Sequence, residues 1–453
     1  MSTDIAGAVA RLMPQLKVEL AELVAIPSIS VIDYPEETRP EILRAHDAVA
    51  ALFREVGVEV SALELPDTAP IIIGEIPAPP GAPTVLLYSH YDVVPVGDAS
   101  KWESPPFEAS ERDGAIYGRG AADTKSNILM HIGALRAWGG KPPVGIKIVI
   151  EGQEEVGSAL TTFPPTRPEL FASDAMVIGD MGSVRPGAPT LTIGLRGMAG
   201  VIVSATTLAG PKHSGQFGGA APDALLALIR VLASLHDDNG DVAVAGLRRE
   251  EWTGANYSDE EFRSLAEVLD GTPFMGTGGL GERIWSGPAL TVTGLDALPV
   301  DAAVNAVVPF ARAKISARFH PEQDPLEGQA ALVKHLEAQR PFGIELVVTP
   351  AETGPGFFAK TTGPAYEAAR VALARAWGDE TQLIATGGSI PLVSALSQAA
   401  PDAEILMFGT TDGFANIHAP NERVIVDEFE KAVIAEAEFF GLFAEAFAGG
   451  GAA

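Results

Sequence analysis

The sequence predicts an α/β layer fold interrupted by an inserted α+β domain, and three observations predict it. Over the first part of the chain, short apolar runs alternate with stretches of helical apolar spacing, the pattern of a sheet flanked by helices. From about Gly197 the pattern changes to an in–out alternation, Val201, Val203, Ala205, which fits a half-exposed antiparallel sheet. After Pro355 the first pattern returns. At 453 residues the chain is too long for one ordinary domain. It divides into 1–196, 197–350 and 351–453, the first and last parts forming one domain around the second.

Each element has a local reason. Val9, Leu12, Leu16, Leu20 and Leu23 recur three or four apart, so a helix covers about Ile5 to Val24 and stops before Pro27. A second helix, about Pro40 to Val56, meets Gly57, a natural C-terminal stop. Strands follow near 58–64, 70–76 and 83–89, and again at 145–151, 175–180 and 191–195. A helix with Ile128, Leu129, Ile132 and Leu135 begins near Asp123. In the inserted part, Lys212–Gly215 reads as a loop, 222–235 as a helix, and 237–287 as a glycine- and acid-rich excursion with one or two short helices. Strands near 289–294, 307–319 and 343–349 and a helix at 325–340 complete it. Then come a helix at 363–377, a strand from Leu383, a strand at 404–408, and a last helix capped by Asp427. Gly449–Ala453 reads as a disordered end.

Composition excludes several classes of function. The formal charge of -28 argues against nucleic acid or an anionic membrane as partner, because both select a basic face. No apolar run approaches a membrane span, and Met1–Met13 lacks the basic and apolar segments of a secretory signal, so a cytoplasmic location is expected. The chain has no cysteine, which leaves only His and carboxylate for any metal.

Chemistry-bearing residues collect where strands end. The run Val85-Leu86-Leu87 turns abruptly polar at Ser89-His90-Tyr91-Asp92, and ligands of α/β sheets bind just beyond carboxyl strand ends. His90 and Asp92 are two apart, so they share a face on an extended backbone, and a carboxylate beside a His is how a ligand imidazole is oriented. Strand 145–151 delivers Glu154 and Glu155, whose mutual repulsion invites a cation. Strand 175–180 ends on Asp180. Asp123, taken alone, is a helix N-cap; with the others it is a fourth acid in the same series. His418 follows the returning strands. Glycine-flanked Gly387-Gly388-Ser389 precedes a helix start, where backbone amides can take an anion.

Ser89–Asp92, Gly118–Lys125, Glu151–Ser158, Asp180, His213-Ser214-Gly215 and His418–Glu422 together resemble, in order and over nearly the whole chain, the motif series of the M20 metallopeptidases. The resemblance implies a di-metal catalytic α/β domain, its mixed sheet flanked by helices, plus an inserted α+β (ferredoxin-like) lid and dimerisation domain, hence a homodimer. It implies two divalent metal ions per subunit, Zn with Mn or Co as alternatives. His90 and Asp180 would hold one, Glu155 and His418 the other, and Asp123 would bridge both across a cis Asp123–Thr124 peptide. Asp92 would orient His90, and Glu154 would be the general base on the attacking water. That donor set suits a catalytic site better than a structural one.

Aspartate at position 180 and the stretches around His213, Arg318 and Gly387 are similar to the dipeptidase branch. That likeness implies that His213 steadies the oxyanion in the partner subunit's site, that Asn305 and Arg318 bind substrate, and that Gly387, Gly388 and Ser389 receive its carboxylate. The substrate implied is a small peptide, with an N-acyl amino acid as the alternative. One departure favours the alternative: the branch carries Arg-Glu where this chain has Ala385-Thr386.

Overall fold

A computed structural model of the chain describes residues 4–388 and 390–450. Ser389 lies outside the described residues, as do 451–453 of the expected disordered end. Contacts separate two units: Met1–Ile193 with Ala359–Leu383 and Leu392–Ala453, and Gly194–Phe358 with Ile384–Pro391.

The first unit begins with helices α1 (Ile5–Val24) and α2 (Arg39–Glu55). Asp4 caps α1, accepting from Gly7 N at 2.9 Å, and Val9, Leu16, Leu20 and Leu23 form its buried stripe. Strands β1 (Glu59–Leu63), β2 (Ile71–Ile76) and β3 (Thr84–His90) follow, then helix α3 (Ser126–Ala137), β4 (Gly145–Glu151), β5 (Ala175–Ile178) and β6 (Thr190–Leu195). Helix α3 is buried on every side from Ser126 to Leu135, so it is the central helix of the layer rather than an amphipathic cover.

The sheet order is β1-β2-β4-β3-β5, continuing through a returning strand at Glu404–Met407 to β6. Strands β3, β4, β5 and the returning strand are parallel neighbours. In register, His90 stands opposite Glu151 and Tyr88 opposite Ile178. Parallel pairing in this register brings the polar residues that follow these strands to one edge. The strands are apolar on both faces because helices cover both; Val85, Leu86 and Leu87 are fully buried.

The second unit is a four-stranded antiparallel sheet. Its strands are β7 (Gly197–Thr206), β9 (Ala289–Leu295), β11 (Phe310–Phe319) and β12 (Leu346–Gly354), in the order β9-β11-β7-β12. Between them fall a short strand β8 (Lys212–His213), helix α4 (Ala224–Ala233), a short strand β10 (Ala306–Val307) and helix α5 (Pro325–Ala338). Val201, Val203, Leu228, Ile315, Phe319 and Leu332 belong to one core cluster between sheet and helices. The other face is open: Val292 and Val347 are exposed. Alternation along β7 and β11 is the one-sided burial that the sequence pattern signals. The excursion carries a helix at Asp259–Leu265 and a turn at Glu282–Ser286.

Helix α6 (Pro364–Trp377), the returning strand β13 (Glu404–Met407) and helix α7 (Val426–Gly450) complete the first unit. Helix α7 packs along both α6 and α3. The helix starts at Val426, so Asp427, expected as its cap, is instead the second residue of its first turn. Gly449 and Gly450 continue that helix. No helix among the described residues is long and apolar enough to cross a membrane.

Candidate metal centre

Six expected site residues converge at the carboxyl edge of the β3–β4–β5 ladder, and Asp123 stands between them. His90 Nε2 lies 3.1 Å from Asp123 Oδ1 and 3.6 Å from Asp180 Oδ1. On the opposite oxygen, Asp123 Oδ2 lies 3.1 Å from His418 Nε2, which is 2.9 Å from Glu155 Oε2. One carboxylate thus serves two triads, His90–Asp123–Asp180 and Asp123–Glu155–His418, each with its ligand atoms within 4.8 Å of one another.

Local structure explains why Asp123 is free to do this. It does not cap α3, which begins at Ser126. Its backbone is non-helical (φ -117, ψ 87), and the Asp123–Thr124 peptide is cis. Before it, Gly120 turns at φ +81, where a Cβ would run into Val93 and Lys125, so only glycine fits. His418 itself sits at φ +60, a conformation uncommon outside glycine.

Asp92 has two tasks. Its Oδ1 is 3.3 Å from His90 Nδ1, whose ring nitrogen also faces the Asp92 carbonyl at 3.1 Å. Two acceptors beside Nδ1 hold a ring proton there, so that Nε2, which faces the carboxylates of Asp123 and Asp180, is the nitrogen that would ligate a metal once it gives up its own proton. The Asp92 carboxylate also accepts from Glu154 N at 3.1 Å and Glu155 N at 3.2 Å, fixing the turn that presents both acids. Sequence spacing signals the first task; the second joins residues far apart in the chain and leaves no spacing to read.

Electrostatics calls for positive charge. Burial pushes the Glu154 carboxyl well above the usual carboxylate range, and the Asp180 charge adds to it. Burial likewise raises Asp180 and takes Glu155 up to about 7, against the hydrogen bond from His418. Hydrogen bonds to Asp123 and Glu155 push His418 up to about 10. Glu155 Oε1 is buried with no partner. A buried carboxylate oxygen without a donor is costly, and a divalent cation satisfies it. The residues present therefore fit the ions that the motifs imply.

Metal entry must displace these protons, because ligands bind deprotonated. Raising the pH through about 7 clears Glu155. Metal affinity of the stripped protein is expected to rise from about pH 6 to about pH 8, with proton release on binding. Calorimetry in two buffers of different ionisation enthalpy measures the released protons; a buffer-independent heat would contradict the assignment.

The remaining expected residues lie in the second unit. His213 pairs with Ala306 between β8 and β10, and Ser214 N donates to Asn305 O at 2.9 Å, so His213 and Asn305 are neighbours on an exposed ribbon. The expected loop at Lys212–Gly215 is this strand followed by one helical turn, Ser214–Phe217. Arg318 is half-buried on β11, opposite Met198. Gly387 and Gly388 follow the strand Gln382–Thr386, where Arg196 N donates to Thr386 O at 3.2 Å.

Comparison with known proteins agrees with this architecture. Residues 86–194 match the Peptidase family M20/M25/M40, and residues 193–343 match the peptidase dimerisation domain. The chain is 40% identical over 434 residues to a cysteinylglycine-S-conjugate dipeptidase of Corynebacterium striatum, covering 93% of this chain and 94% of that protein. It is 30% identical over 436 residues to a Beta-Ala-His dipeptidase of Rattus norvegicus, covering 89% and 88%. The crystal structure of human carnosine dipeptidase 1 aligns with a TM-score of 0.79 at 25% identity, over 97% of this chain and 98% of that one. The chain belongs to the M20 peptidase family. It is an enzyme of the metallopeptidase class, with the catalytic-plus-dimerisation-domain fold of that family, which implies divalent metal ions.

Proposed function

We propose that this chain is a metal-dependent dipeptidase that hydrolyses the amide bond of dipeptides, or of dipeptide-like substrates, bearing a free C-terminal carboxylate. The observation that carries the proposal is the split use of Asp123, one oxygen to each triad. The two dipeptidases aligned along most of their length support the substrate class.

In this reading His90, Asp123 and Asp180 hold one ion, and Asp123, Glu155 and His418 the other, with Zn expected and Mn or Co as substitutes. Bound there, two divalent ions would lower the pKa of a water and polarise the scissile carbonyl. Glu154 does the proton work. Its raised pKa suits a group that takes the proton of the attacking water and returns it to the leaving amine. Asp92 holds Glu154 in place through the backbone. In the second unit, Arg318 and the Gly387–Gly388 amides receive the substrate carboxylate, Asn305 binds substrate, and His213 steadies the oxyanion. An arginine and free amides suit that carboxylate.

The second reading is an N-acyl-amino-acid deacylase or carboxypeptidase. It is favoured by Ala385, which is buried and uncharged, beside Thr386, leaving no charge there to meet a free amine. A panel of dipeptides beside N-acyl amino acids separates the two. Cleavage of free-amine dipeptides supports the first; cleavage of acylated substrates alone replaces it with the second.

We also place the protein in the cytoplasm as a homodimer formed through the 197–350 region. The dimerisation-domain match and the exposed Leu298, Val300 and Val304 support the assembly. If each subunit's His213 serves its partner, His213→Ala and Glu154→Ala variants, each inactive alone, should regain part of their activity when mixed. A randomly mixed heterodimer has one intact site, so recovery should approach about a quarter of wild-type turnover. No recovery after verified subunit exchange would contradict sharing.

A further inference from the structure

We infer that Glu422, paired with Arg119, is a positioning residue that fixes Asp123 and His418 at ligating distance. The inference rests on the two-ion reading of Asp123.

Glu422 has no solvent exposure, and Arg119 almost none. Both Glu422 oxygens are spent on one loop. Oε2 accepts from Arg119 Nη1 at 2.6 Å and Gly120 N at 2.9 Å; Oε1 accepts from Ala122 N at 2.9 Å and Asp123 N at 3.0 Å. The Glu422 carbonyl accepts from Gly118 N at 3.0 Å. Arg119 reaches the other way as well, donating Nη2 to the carbonyl of Ala419, the residue after His418, at 3.2 Å. A buried ion pair therefore ties the loop that presents Asp123 to the loop that presents His418.

The need for such a tie follows from the backbone. Asp123 departs from helical φ/ψ, so the regular ladder of α3 does not set its direction. Glu422 takes the place of that ladder by accepting from the Asp123 amide itself. His418 sits in a left-handed conformation on its own loop and gains its anchor one residue later, at Ala419. A buried charge-assisted network with every acceptor used is stiff as well as stable. Rigid support of this kind sets metal affinity without touching the metal.

The test compares the full-length stripped wild type with Glu422→Gln and with Glu404→Gln. Glu404 is a matched control: a buried carboxylate accepting from the helix-start amides of Ala365 and Tyr366 at 3.1 and 2.8 Å, away from the triads. Cobalt uptake is followed by its visible absorption, alongside thermal melting. Wild type is expected to take up about two ions, and Glu404→Gln to match it at a lower melting temperature. Glu422→Gln is expected to bind the ion shared by Asp123 and His418 about 10–100-fold more weakly. Wild-type affinities in Glu422→Gln, even with a lowered melting temperature, would overturn the inference and leave the pair a folding element only. If Glu422→Gln does not fold, Arg119→Lys replaces it: the charge stays, the fork to Ala419 is lost, and the same ion should weaken, unchanged affinities again overturning the inference. Absence of cobalt uptake by wild type would instead refute the two-ion reading itself.

Discussion

Glu154→Gln is expected to lower dipeptide turnover by about 10²–10⁴-fold, the range of a positioned general acid–base, with metal uptake unchanged. The substitution preserves shape and leaves the backbone bond from residue 154 to Asp92 intact. It removes a proton acceptor whose pKa burial and the Asp180 charge have raised well above the usual carboxylate range. Substrate should still bind, so KM should move little while kcat falls. Full turnover at saturating metal would assign the base to another group.

Asp123→Ala is expected to lower metal binding as well as turnover. Each oxygen of Asp123 faces a different imidazole, so one substitution removes a ligand from both triads. Bound ions would supply several kcal/mol of transition-state stabilisation, so losing the ligand proposed to be common to both should cost about 10³-fold or more in turnover. Metal content measured on the purified variant should fall for both ions. Asp180→Asn or Glu155→Gln touches a single triad and should weaken one ion while sparing the other. Retention of both ions by Asp123→Ala would mean that the triads do not share this residue.

Much of this arrangement was legible because it is organised by strands. Apolar runs that turn polar at their ends marked His90, Glu154, Glu155 and Asp180 one strand at a time, and the parallel register of β3, β4 and β5 is what brings them together. Periodicity located α1 and α2 to within a residue or two, since each has a single buried face and a stop, before Pro27 for α1 and at Gly57 for α2. The apolar residues mark helix α3 but not its start: Asp123 is a residue type that caps helices, yet its backbone is non-helical and the helix begins only at Ser126. The grouping of Ile384–Pro391 with Gly194–Phe358 leaves no mark in composition, because a chain return is a matter of contacts. Glu422 and Arg119 were visible only as parts of resembling motifs. Their pairing spans the whole α/β unit, and neither charge pattern nor spacing reports it. In the excursion at 237–287, aromatic packing of Trp252 and Tyr257 on Trp285 organises a stretch whose glycines and acids hide it.

The most direct measurement is dipeptide turnover by metal-stripped protein as Zn, Mn or Co is added back in steps. Turnover should be negligible without metal and should rise to a plateau near about two ions per chain, one for each triad on Asp123. Turnover that persists in the stripped protein, or that saturates at a single ion with the second triad dispensable, would contradict the two-ion reading.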